Sequence, residues 1–152
     1  METAEFLARE RQTIVDAANA PLVRVHTHSY ETAGAGEVHR RLEALFDHLL
    51  EALGTRDLGS IFAYAQQVAE ERFNAGYDLS EVQAAFNALE EATWSRILDE
   101  LAPSQLAEAL GLVTTILGAA KDELARTYVS LATSAHAPSL DLAALFAGIE
   151  RA

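Results

Sequence analysis

The chain has 152 residues, no cysteine and a formal net charge of −12. A chain of this length forms one domain and buries about 70% of the surface that it exposes when unfolded, which is ample for an ordinary core. The absence of cysteine excludes disulfides, thiolate metal sites and a cysteine nucleophile, and it fits a cytoplasmic protein. Because the excess of acidic residues repels phosphate groups and anionic lipids, we expect no nucleic-acid partner and no membrane binding.

Alanine and leucine together make up one third of the residues. Both are strong helix formers, so the composition predicts an all-α protein. The most apolar run, Ala109–Ala120, has 12 residues, whereas a membrane-spanning helix needs about 20. This run is typical of a buried core helix. Glu2 and Glu5 stand where a signal peptide carries basic residues, so we expect no export by that route.

The N-terminal segment from Thr3 to Ala18 has the apolar spacing of an amphipathic helix. Pro21 lacks a backbone N–H and crowds the preceding turn, so we expect it to interrupt this helix. Residues 22–30 then alternate between apolar and polar side chains. We interpret them as a short helix or as an extension of the first one; the alternative is a strand without a partner strand.

Four longer segments follow in which apolar residues recur every three or four positions. They run from Val38 to Leu53, from Leu58 to Phe73, from Ser80 to Leu98, and from Pro103 to about Ala135. We predict that Ser80 caps its helix with Gln83 in the capping-box position, and that Pro103 lies in the first turn of the last helix. The pattern predicts a single-domain bundle of six or seven helices over residues 1–135. Residues 136–152 are predicted to form a short amphipathic helix that packs on this bundle or on a partner.

The motifs of common catalytic and cofactor sites are missing, including the paired Glu-x-x-His of di-iron bundles, HExxH, GxSxG, the Walker loop and GxGxxG. We therefore predict no catalytic residue, no cofactor and no metal. His26 and His28 would project together on a strand but diverge on a helix. His39 precedes Glu43 by one helical turn, which favours a side-chain pair over a ligand role. An enzyme that uses His39 or His26 with a carboxylate is the weakest of the alternatives.

Five large aromatic residues are concentrated in two consecutive helices and the turn between them. They are Phe62, Phe73, Tyr77, Phe86 and Trp94. They either fill the core or line a ligand pocket, and the core interpretation is favoured. Gly111 and Gly118 lie nearly on one helix face, where we expect close packing within the chain or against a second copy. Residues 81–108 hold six acids and one base, which indicates a solvated face or, alternatively, a docking surface for a basic partner.

The stretch RFNAGYDLSEVQAAFNALEEATW resembles the helix-glycine-helix signature of the RsbR-type N-terminal domain, found in the stressosome proteins called RsbT co-antagonists. The residues that carry the resemblance are Arg72, Gly76, Leu79, Glu81, Val82, Phe86, Leu89 and Trp94. Gly76 would end one helix in a left-handed conformation, Leu79 and Val82 would staple the start of the next, and Phe86 and Leu89 would pack inward. Arg72 would bond the end of its own helix or a nearby acid. The family often has arginine where this chain has Glu90, which weakens any inference about a charged partner contact.

The resemblance covers roughly residues 5–132 and implies an all-α, globin-like domain without haem. Such domains are commonly dimeric, relay a signal or mediate assembly, and have no catalytic residues. In stressosome proteins a STAS domain follows, for which the residues after Ala135 are too few. We therefore expect a free-standing or excised regulatory or interaction module that forms a homodimer and contacts a signalling protein. The alternative is a carrier or sensor that binds a small apolar molecule between the aromatic helices.

Overall fold

The computed structural model describes residues 2–24 and 35–136, and almost all of them are helical. The helices are α1 (Thr3–Arg9), α2 (Arg11–Arg24), α3 (Ala35–Thr55), α4 (Gly59–Asn74), α5 (Leu79–Glu100) and α6 (Pro103–His136). These ranges contain no strand, which confirms the all-α prediction. The histidines at 26 and 28 and the predicted helix in the C-terminal tail lie outside the described residues.

One apolar core joins the helices. The long helix α6 packs mainly against α4 and α5, while α2 packs against α5 and α3, and α1 lies on α3. Each helix contributes side chains that are less than 2% exposed, among them Phe6, Ile14, Phe46, Ile61, Leu89 and Leu117. The apolar positions predicted from the three- and four-residue spacing therefore face the interior, and their burial supplies most of the stabilisation of the bundle.

The N-terminal region differs from the prediction in two places. The first helix is divided at Glu10, whose backbone leaves the helical conformation (φ −91°, ψ 6°) and whose carboxylate accepts a hydrogen bond from Arg96 Nε at 3.0 Å. Pro21 does not interrupt α2, which continues to Arg24. Continuation buries Leu22, only 7% exposed, and this burial offsets the hydrogen bond that proline cannot donate. As far as Arg24, the extension of the helix is the correct interpretation, and the strand is wrong.

The N-terminal cap of α5 also differs from the prediction. Asp78, not Ser80, is the N-cap residue, and it forms a capping box with Glu81. Its backbone N–H donates to Glu81 Oε1 at 3.3 Å. Asp78 has the extended conformation that an N-cap requires (φ −72°, ψ 147°), and Leu79 already has helical geometry. Ser80 therefore lies inside the first turn, and the capping prediction was displaced by two residues. Pro103 begins α6, as predicted.

The described helices do not pack closely on Gly111 and Gly118. Apart from the adjacent backbone of α6, a Cβ atom added at either position would have no described atom within 4 Å. Both glycines therefore lie on a part of α6 that the other described helices do not approach closely.

The turn between α4 and α5 depends on Gly76. This residue has a φ of 84°, in the left-handed region. Its N–H donates to the carbonyl of Phe73 at 3.1 Å, and the N–H of Tyr77 donates to the carbonyl of Arg72 at 3.0 Å. These two bonds form a Schellman motif, which ends α4 and satisfies its last carbonyl groups.

Replacement of Gly76 by valine should lower the free energy of unfolding by about 1 kcal/mol or more, because a β-branched residue resists a left-handed conformation. Space is not the cause, since an added Cβ has no atom within 4 Å. Urea unfolding followed by circular dichroism measures the effect. The matched control is Gly54→Ala in α3, where an added Cβ is equally free of contacts but φ is not positive. It should leave stability unchanged or raise it. Equal losses in the two variants would contradict the turn assignment.

Candidate functional site

A small cavity lies between α3, α4 and α5, beside the turn that joins α4 to α5. Its volume is about 30 Å³. Its walls are mainly apolar but include two arginines and two tyrosines. The lining residues are Val38, Arg41, Leu42, Leu45, Tyr64, Val68, Arg72, Tyr77, Val82, Ala85 and Phe86. Because a water molecule needs about 10–15 Å³ of such space, the cavity has room for two or three water molecules.

Two guanidinium groups face the ring of Tyr77 at this cavity. The Cζ atom of Arg41, from α3, lies 5.7 Å from the ring centre, and that of Arg72, from α4, lies 5.6 Å from it. These distances fall within the range of cation–π contacts. Arg41 Nη1 also donates to the Tyr77 hydroxyl at 3.5 Å, and the hydroxyl of Tyr64 donates to the backbone carbonyl of Arg41 at 3.3 Å. The two arginines are thus held on one aromatic side chain.

The acids beside these arginines compensate their charge incompletely. Glu37 Oε1 lies 3.3 Å from Arg41 Nε, but Glu37 also bonds Arg40. Glu71 Oε2 lies 3.8 Å from Arg72 Nη2, beyond hydrogen-bond distance. Burial, followed by the charge of Arg41, lowers the pKa of Arg72. Burial also raises the pKa of Tyr64 to about 12. The site therefore combines desolvation with two neighbouring positive charges.

Tyr77 is fixed by contacts from α6 as well as by the Schellman turn. The hydroxyl of Tyr128 donates to the backbone carbonyl of Tyr77 at 2.9 Å. The ring of Tyr128 in turn meets Phe73 edge to face, with ring centres 5.8 Å apart. Three helices therefore determine where the Tyr77 ring lies, and through it where the guanidinium groups lie.

The structure brings only two of the five predicted pocket residues to this cavity, namely Tyr77 and Phe86. Phe73 packs against Tyr128, and Phe62 is partly buried on α4. Trp94 is 44% exposed on α5. A wider groove of about 440 Å³ between α2 and α5 contains none of the five. The role of these residues in ligand binding stays a prediction.

The residues of the helix-glycine-helix motif surround the same turn. Val82, Phe86 and Leu89 are at most 5% exposed, and Leu79 is partly buried against the core. The motif therefore builds one wall of the cavity and the turn beside it. The sequence did not predict that Arg41 and Tyr64 would line the cavity, because both lie outside this motif, on α3 and α4. The available signal was the position of Arg41 at the edge of the apolar face formed by Val38, Leu42 and Leu45.

His39 belongs to a separate polar network between α2 and α3. Its Nδ1 lies 2.7 Å from Glu43 Oε1, and its Nε2 lies 3.0 Å from Asp16 Oδ1. Arg11 extends the network, since it bonds Asp47 through Nε at 2.8 Å and Glu43 through Nη1 at 3.1 Å. The hydrogen bond to Asp16, assisted by that to Glu43, raises the pKa of His39 despite its partial burial. The predicted pairing of His39 with Glu43 within α3 is confirmed, and the contact of His39 with Asp16 connects α3 to α2, which the prediction did not include.

The surface of α5 carries an exposed apolar pair. Trp94 is 44% exposed and Leu98, one turn later, is 45% exposed. The surrounding acids Glu91 and Asp99 are exposed as well. Arg96, on the same helix, forms salt bridges with Glu10 at 3.0 Å and with Glu100 at 3.4 Å. We call the pair Trp94 and Leu98 the α5 patch.

Residues 2–24 and 35–136 contain neither a membrane-spanning helix nor a cluster of metal-binding side chains. No helix there has both the length and the apolar character that crossing a bilayer requires. No group of three or more histidine, aspartate or glutamate side chains in the same ranges is arranged to hold a metal ion.

The comparison with protein families shows which family the chain belongs to. The model of the RsbT co-antagonist protein rsbRD N-terminal domain matches residues 8–138. The match spans most of the sequence, so the chain belongs to this family, and the predicted resemblance is confirmed. The family places the chain among regulatory domains of stress-response signalling. Comparison with curated proteins and with solved structures gave no significant match, and the globin-like arrangement stays a prediction.

The His39 network predicts a pH-dependent contribution to stability. Because the pKa of His39 is raised above its ordinary value of 6.5, the protonated ring stabilises the fold. This contribution is complete below about pH 6.5 and is lost as the pH rises through the raised pKa. Thermal unfolding of His39→Gln should therefore show a larger loss of Tm at pH 6 than at pH 9.

Gln12→Ala is the control for this experiment. It removes a hydrogen bond from Gln12 Nε2 to the same Asp16, at 2.8 Å, without removing a titratable group. Its effect on Tm should be similar at both pH values. A loss in His39→Gln that does not change with pH would show that the ion pairs with Asp16 and Glu43 contribute nothing to stability.

Proposed function

We propose that this chain is a non-catalytic regulatory domain that acts in the cytoplasm through contacts with other proteins of a stress-response pathway. The family match over residues 8–138 carries this proposal. The described structure supports it with surfaces suited to protein contacts, and the predicted absence of catalytic residues is consistent with it.

The α5 patch is the surface that we propose for a protein partner. Exposed tryptophan is frequent among the residues that dominate interface energies, and burial of a large apolar side chain contributes about 1.5–3 kcal/mol. Glu91 and Asp99 lie on the same helix, in a chain whose net charge is −12. The partner is therefore expected to present an apolar ridge flanked by lysine or arginine.

A synthetic amphipathic helix of leucine and lysine tests the partner surface. Its binding should shift the fluorescence of Trp94, the single tryptophan, to shorter wavelength. Leu98→Ser should weaken binding about tenfold, whereas Val23→Ser, which alters a similarly exposed side chain on α2, should have little effect. Absence of a blue shift, or equal weakening by both substitutions, would rule out the α5 patch as the contact.

We also propose that the chain forms a homodimer through one face of α6. Gly111, Gly118 and Val129 share this face, because Val129 follows Gly111 by five full turns at about 3.6 residues per turn. Val129 is 62% exposed. A helix-interior glycine costs about 1 kcal/mol relative to alanine, and no contact within the described chain accounts for these two. Close approach of a second α6 would account for them.

Native mass spectrometry tests the dimer. The wild-type protein should appear as a dimer of apoprotein mass, and Gly111→Leu should raise the dissociation constant at least tenfold. Gly54→Leu is the matched control, since Gly54 is also an exposed helical glycine with free space around it, and it should remain dimeric. A monomeric wild type, or a dimer that tolerates Gly111→Leu, would overturn this interface.

The same spectrum addresses the alternative of a carrier for a small apolar molecule. Sites for such ligands usually measure about 300–1,000 Å³. The cavity beside the aromatic turn has about 30 Å³, and the groove of about 440 Å³ between α2 and α5 contains none of the five aromatic residues predicted to bind such a molecule. A stoichiometric extra mass on the protein would favour the carrier.

A further inference from the structure

The cavity beside Tyr77 is positively charged in a strongly acidic chain. Among the described residues its lining includes Arg41 and Arg72 but no aspartate or glutamate, although the net charge of the chain is −12. The side chain of Arg41 is 22% exposed and that of Arg72 is 13% exposed. Two guanidinium groups are therefore largely withdrawn from water next to one another, which costs free energy unless negative charge compensates them.

The neighbouring carboxylates provide part of this compensation from outside the cavity. Glu37 is shared between Arg40 and Arg41, and Glu71 stays 3.8 Å from Arg72. A guanidinium carries five N–H donors in a planar fork that matches the two oxygens of a carboxylate. The pair at Tyr77 thus retains the chemistry to bind one more anion.

The size and walls of the cavity restrict that anion. A volume of about 30 Å³ has room for two or three water-sized groups, about the size of a carboxylate with one methyl group. Val38, Leu42 and Phe86 form an apolar wall that a methyl group can contact. The oxygens of a fully polar anion such as phosphate would find no hydrogen-bond donor on this wall. We propose that this cavity binds a short-chain monocarboxylate such as acetate, with its carboxylate on Arg41 and Arg72 and its alkyl end against the apolar wall. Such binding is independent of the partner and dimer surfaces proposed above.

Titration of the ¹⁵N-labelled full chain with sodium acetate, followed by NMR, tests this proposal. Acetate should produce saturable shifts of the Nε–Hε signals of Arg41 and Arg72 and of the Tyr77 amide. Sodium chloride at equal ionic strength and inorganic phosphate should not. Equal saturable shifts with phosphate would overturn the carboxylate assignment, and no saturable shift with acetate would overturn the site.

Substitution of the arginines tests whether acetate binds in this cavity. Arg72→Gln should weaken acetate binding at least tenfold, equivalent to about 1.4 kcal/mol. Arg40→Gln is the matched control, because Arg40 bonds the same Glu37 but is 71% exposed and does not line the cavity. It should change the affinity less than twofold. If circular dichroism shows that Arg72→Gln is unfolded, Arg41→Gln replaces it with the same expected loss. Equal weakening by the cavity and control variants would overturn the proposal.

Discussion

The left-handed turn at Gly76 is the constraint on which the described site depends. It reverses the chain between α4 and α5, and the N–H of Tyr77 donates the second hydrogen bond of its Schellman motif. Tyr128 of α6 then binds the Tyr77 carbonyl, and Arg41 of α3 and Arg72 of α4 approach the ring. This turn thus places Tyr77 where three helices, α3, α4 and α6, contact it, and the small cavity lies beside these contacts.

The sequence predicted the helical class, most of the apolar faces, the Gly76 turn and the Pro103 helix start, because each depends on local spacing or on backbone conformation. The sequence-based prediction failed where tertiary contacts determine where a helix begins or ends. Leu22 is buried only because α2 packs on its neighbours, so the helix continues through Pro21. Asp78 and Ser80 are both good caps, and choosing between them requires the geometry of the preceding turn.

The candidate site was predictable only in part, for the same reason. Tyr77 and Phe86 lie within the family motif, so the sequence identifies them. Arg41 stands 36 residues before Tyr77, and its contact with that ring follows from the packing of α3 on α4. Trp94 shows the converse limit, because periodicity near the edge of an apolar face does not distinguish a core residue from one that is 44% exposed. Different residues form the α5 patch, the α6 face and the cavity, which are the surfaces proposed for a partner, a second copy and a ligand.

NMR of the unliganded protein tests most directly whether the Tyr77 ring holds both arginines. Ring currents of Tyr77 should move the Hε signals of Arg41 and Arg72 upfield of their unperturbed positions, and Tyr77→Leu should return both together. Unperturbed Hε signals in the wild type, or a change in only one of them upon Tyr77→Leu, would contradict the arrangement.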